Sequence, residues 1–95
     1  MKKWLEIIRI QSTQRIDMSR IEELCTAASA ELINPPEYLR GIESYRSENI
    51  EGDFSIHLIW ELSETGPHKS HLGHLISSSL RSFGLTDHTV WRCFS

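Results

Sequence analysis

The chain has 95 residues, a length that fits one domain with a thin core. Ten Lys and Arg against thirteen Asp and Glu give a net charge of −3, which argues against a binder of phosphate backbones. A 39% apolar share with 24% charge is that of a folded chain rather than a disordered one.

Residues 3–11 read as a strand rich in β-branched residues, with Trp4, Ile8 and Ile10 on one face and Leu5 and Ile7 on the other. Apolar groups on both faces predict a central strand. Ser19-Arg20-Ile21-Glu22 has the form of a capping box, with Asp17 as an alternative cap, and Ile21, Leu24, Cys25, Ala28 and Leu32 follow as one helical stripe. Asn34-Pro35-Pro36 should end that helix, because residues before proline avoid the helical region.

Residues 39–48 and 53–62 predict two strands joined through Asn49-Ile50-Glu51-Gly52 as a hairpin. The second alternates, with Phe54, Ile56, Leu58, Trp60 and Leu62 facing one way and Ser55, His57, Ile59 and Glu61 the other. The first is polar on both sides, as suits an edge strand. Gly66-Pro67 is expected to open a second helix with Leu72, Leu75, Ile76, Ser79, Leu80 and Phe83 inward, stopped at Gly84. Residues 89–94 then predict a short last strand.

The order strand–helix–strand–strand–helix–strand, with right-handed crossovers, predicts an α+β, ferredoxin-like domain over residues 1–95. Its four-stranded antiparallel sheet should run 4-1-3-2, with both helices on one face. The other face would then carry the second apolar parity of the first and third strands, with Trp91 and Cys93 alternating against Val90 and Phe94 on the fourth. An apolar patch of that kind marks an interface, so a homodimer formed through the open sheet face is expected.

Length, element order and a two-sided apolar sheet resemble the dimeric α+β barrel proteins, and within them the small domains related to antibiotic-biosynthesis monooxygenases. The segment Leu58-Ile59-Trp60-Glu61, followed by the histidines of residues 68–74, carries the local resemblance. Family members often have a tryptophan ending the third strand and a histidine early in the next helix, positions that Trp60 and His71 match. The resemblance implies two sheets packed face to face, cofactor-free oxygenation, and an aromatic or polyketide-like ligand. The haem-degrading members also use an asparagine on the first strand; residues 3–11 contain none, so haem breakdown is not expected.

His68, His71 and His74 repeat every three residues and so spread over roughly 120° of a helix surface. Neighbouring pairs suit a transition metal, but three at this spacing cannot easily meet one ion, and no metal site is expected. By position, His68 should lie near the core, His71 at its border and His74 toward solvent. His57 and Glu61 share a sheet face and are expected either to line a polar pocket inside the barrel or to form ion pairs that fix the dimer's register. Their counter-ions would come from Glu6 or Arg9 on the first strand, or from Arg92. Gly73 inside a helix points to close packing. No nucleophile elbow or glycine-rich phosphate loop exists.

Cys25 and Cys93 match no metal or redox spacing and are expected as small buried residues with reduced thiols. Charge interrupts the first residues and no apolar run is long enough to span a bilayer, so the expected compartment is the cytoplasm. Two functions remain. One is an enzyme-like binder of an aromatic ligand, with Trp60 stacking, His71 or His68 as the acid–base group, and no cofactor. The other is a non-catalytic homodimeric module, structural or ligand-sensing.

Overall fold

The computed structural model describes residues 3–12, 18–30, 36–61 and 66–94. Strand β1 (Lys3–Ser12) is followed by helix α1 (Met18–Ala30), strands β2 (Leu39–Arg46) and β3 (Asp53–Glu61), helix α2 (His71–Leu80), a single 3₁₀ turn (Arg81–Phe83) and strand β4 (Gly84–Arg92). The four strands form one antiparallel sheet in the order β2-β3-β1-β4, the expected ferredoxin-like arrangement.

Register fixes what each face carries. Ile8 of β1 pairs with Ile56 on one side and His88 on the other, and Ile7 pairs with His57 and Thr89. Even-numbered β1 residues therefore face the helices together with Phe54, Ile56, Leu58 and Trp60. These bury with Ile21 of α1 and Leu80 of α2 into one core. Odd-numbered residues, with Ser55, His57, Ile59 and Glu61, form the opposite, open face. Leu5, Ile7 and Ile59 are only half-buried there, and Trp91 is 57% exposed. This is the two-sided apolar sheet read from the sequence.

Several boundaries differ from the expectation, each for a local reason. Ser19 lies inside α1 rather than capping it, because the helix already begins at Met18; Asp17, Leu32, Asn34 and Pro35 fall outside the described residues. Strand β2 stops at Arg46, where the Ser47 hydroxyl accepts from the backbone N–H groups of Asn49 and Ile50 and closes the turn early. That turn ends at Gly52, whose φ of +86° is open to glycine, and an added Cβ would lie 2.9 Å from the Ser12 carbonyl oxygen.

Helix α2 opens at His71 rather than at Gly66-Pro67, because Ser70 is extended and its hydroxyl caps the Gly73 N–H at 2.9 Å. Its inward face is Gly73, Ser77 and Leu80, with Leu72 and Ile76 partly covered, so Leu75 and Ser79 turn outward. Strand β4 begins at Gly84 and not at Thr89. Gly84 is extended there, and five residues assigned to a loop belong to the sheet. Cys93 is exposed, beyond the end of β4, rather than buried; the side chain of Cys25 is outside the described set.

Candidate functional site

The strongest chemistry sits on the helix-covered face. Parity puts Glu6 beside Trp4 and Ile8, and its side chain is 0% exposed. A carboxylate there needs donors on every lone pair it can offer. Its Oε1 accepts from Trp60 Nε1 at 3.1 Å and from the Ser70 hydroxyl at 2.6 Å. Its Oε2 accepts from the Ser70 backbone N–H at 2.9 Å and faces His88 Nε2 at 2.5 Å. The Ser70 hydroxyl is thus used twice, accepting from Gly73 and donating to Glu6.

Four elements meet at this carboxylate: β1 supplies Glu6, β3 Trp60, β4 His88, and the residue capping α2 supplies Ser70. Gly73 lets the helix come close enough, since a Cβ at that position would lie 2.6 Å from Glu6 Cδ and 2.8 Å from His88 Nε2. Close packing was the sequence reading of Gly73; what it packs against is a charged group. Around the cluster stand aromatic rings. Trp60 stacks on Trp4 with centroids 5.3 Å apart, His68 leans on Trp4 at 5.7 Å, and His74 meets His88 edge-on at 5.2 Å.

The sequence-predicted residues divide between two faces. Trp60 joins the Glu6 cluster, although Trp4 covers one of its ring faces. His57 and Glu61 lie on the open face as expected, but Glu6 does not share it. Arg92 pairs in register with Trp4 and so belongs to the helix side as well. The counter-ion of Glu61 is Arg40 of β2, at 2.7 Å, which holds the Glu61 carboxyl below the usual range. Arg9 is occupied by Asp53, through Nε at 3.2 Å and Nη2 at 3.1 Å. His57 packs its ring on Tyr45 at 4.7 Å, and partial burial lowers its pKa against the opposing pull of Glu43.

The three clustered histidines do not converge. His68 is exposed rather than near the core, with Nδ1 2.8 Å from the Gly66 carbonyl oxygen. His71 is exposed at the start of α2, and of the three only His74 touches His88. Among the described residues no three His, Cys, Asp or Glu side chains are placed to hold a metal ion. Glu6, Ser70 and His88 were not singled out by sequence as one site. The available signal was an acidic residue on the buried parity of β1.

An open recess of about 340 Å³ lies elsewhere, between α1 and β2, lined by Glu22, Thr26, Ser44, Tyr45, Arg46 and Phe54. Its two charged walls pair with each other, Arg46 to Glu22 at 3.0 Å. No described helix is long and apolar enough to cross a membrane.

No protein-family model matches the sequence, and no curated protein matches it. Solved structures do. A conserved protein from Methanosarcina mazei Go1 superposes with a TM-score of 0.73 at 14% identity, covering 99% of this chain and 95% of that one. SnoaB, a cofactor-independent oxygenase from Streptomyces nogalater, gives 0.67 at 12% identity over 100% and 96% of the two chains. A candidate antibiotic biosynthesis monooxygenase from Caulobacter crescentus CB15 gives 0.69 at 10% identity over 99% and 92%. Identities this low carry the fold alone. The chain has the fold of the small antibiotic-biosynthesis-monooxygenase-like domains, end to end.

Proposed function

We propose that this chain is a homodimeric α+β barrel protein that binds a small aromatic ligand between its sheet and helices and oxygenates it without a cofactor. One observation carries the reading: a carboxylate with no solvent exposure is kept among two tryptophans and a histidine in a chain of only 95 residues. Small folds have little stability to spare, and a buried charge contributes less to it than an apolar side chain of the same size. Glu6 is better explained by chemistry than by packing.

The rings of Trp4 and Trp60 form a buried apolar wall beside that carboxylate, stacked on each other, with the exposed His68 and His74 at its edge. Such surroundings suit an aromatic carbon acid. Loss of a proton gives a carbanion that reacts with dioxygen, and the hydroperoxide sheds water. In balance, a ring methylene and one dioxygen become a ring carbonyl and one water, each product taking one oxygen atom. The substrate anion supplies every electron. Desolvation between wall and helix would favour the delocalised anion over a hydrated one. Apolar groups left half-covered on the open face (Leu5, Ile7, Ile59) support a homodimer that closes the barrel there. His57 and Glu61 would lie at that interface.

The exposed position of His71 favours the second reading, a ligand-sensing module without turnover, as far as that residue is concerned. The two readings separate in one experiment. Anthrone is incubated with the protein under oxygen-18 gas, and protein-dependent anthraquinone carrying one heavy oxygen is the expected product. Anthrone bound and recovered unchanged would leave the ligand-sensing module; no binding would leave the structural one.

A further inference from the structure

We propose that Glu6 and His88 form a proton-accepting dyad in which His88 Nδ1 takes the proton of an acidic phenol or aromatic carbon acid, a role that rests on the aromatic-ligand reading above. Glu6 is the positioning residue and His88 the catalytic one.

Hydrogen-bond chemistry fixes the tautomer. A carboxylate only accepts, so the His88 nitrogen facing Glu6 Oε2 must carry a hydrogen, and in the neutral ring the lone pair is left on Nδ1. No described residue donates to that nitrogen. The carboxylate cannot swing away, because the Trp60 indole N–H and both polar groups of Ser70 hold it. A protonated His88 would therefore meet a negative charge already in place, which is how a fixed carboxylate stabilises an imidazolium as it forms. The His88 side chain is 8% exposed, β4 is an edge strand, and the exposed ring of His74 lies against it.

Among the described residues no serine, threonine or cysteine side chain is hydrogen-bonded to His88, so the dyad has no protein nucleophile to activate there. The partner proposed for it is the ligand. In the step itself the O–H or C–H bond of the ligand breaks, the N–H bond forms at Nδ1, and the electron pair stays on the ligand. The products are an aromatic anion and an imidazolium facing Glu6. Nothing is oxidised in this step.

The test uses 1-naphthol, whose phenol and phenolate absorb at different wavelengths and which needs no oxygen to report. Near neutral pH the wild-type protein should bind it as phenolate, while His88→Gln binds it as the neutral phenol and His71→Ala behaves as wild type. A second measurement needs no variant. On binding of 1-naphthol, ¹⁵N shifts of His88 should show Nδ1 gaining a hydrogen while Nε2 keeps its own. Naphthol bound as the neutral phenol to wild type, or as phenolate to a folded His88→Gln, would overturn the dyad and leave the aromatic-ligand reading standing. Absence of naphthol binding up to its solubility limit would overturn both.

Discussion

Glu6 and His88 are diagonal neighbours across β1 and β4, one pairing in register with Val90 and the other with Ile8, and their Oε2 and Nε2 atoms meet at 2.5 Å. Diagonal partners in a sheet are within reach of long side chains when both point to the same face. Here that face is the one roofed by α2, and the same carboxylate also holds Trp60 of β3 and Ser70 at the cap of α2, so four elements are tied through it.

Removing that carboxylate strands its donors. Glu6→Ala leaves the Trp60 indole N–H, the Ser70 N–H and hydroxyl, and His88 without their acceptor. The expected loss is about 3 kcal/mol or more, a fall in Tm of roughly 10–20 °C. Urea unfolding measures it, and a loss below about 0.5 kcal/mol would show the cluster to be incidental.

Gly73→Ala inverts the usual helix rule. On an open helix surface the change stabilises by about 1 kcal/mol. The new Cβ would press on Glu6 Cδ and His88 Nε2, so we expect destabilisation of about 1–3 kcal/mol instead. The indole N–H resonance of Trp60 should move as well, since it reports the Glu6 contact; a stabilised variant with that resonance unmoved contradicts the packing.

His57 sets an acid limit on stability. Partial burial beside Tyr45 lowers its pKa in the folded chain, so the unfolded chain takes up the proton first. Its effect is absent above both pKa values and grows as pH falls below about 6.5, where folding is progressively disfavoured. His57→Gln should flatten that part of the stability profile when protein concentration is held fixed. Parallel profiles for the two proteins between about pH 7 and 5 would exclude the role.

The open face should be sensitive to charge. Ile59→Glu places a carboxylate in the middle of the apolar surface formed with Leu5 and Ile7. If two copies meet there, dimer affinity should drop by about tenfold or more with the monomer fold retained by circular dichroism. An unchanged dissociation constant would move the interface elsewhere.

The sheet was legible in the sequence because β3 alternates with a period of two and β1 carries apolar groups on both parities, which together specify the strand order. The site was less so. Glu6 stands on the parity of Trp4, Ile8 and Ile10, and that alone placed it under the helices; treating register as open let it be assigned to the face of His57 and Glu61. His88 was hidden because Gly84 resembled a helix stop, and Leu85 to His88 then read as loop, although Gly84 is extended and starts β4. Ser70 was hidden by Pro67, which suggested a helix start four residues before the one at His71. In each case a tertiary contact to Glu6 fixed what local propensity left undecided.

The barrel requires a second copy, so the most direct measurement is mass in solution by light scattering across a concentration series. A particle of twice the 11.0 kDa chain mass, persisting to low micromolar concentration, is expected. A mass of 11.0 kDa at every concentration would leave Trp91 and Ile59 facing water and contradict the homodimeric barrel.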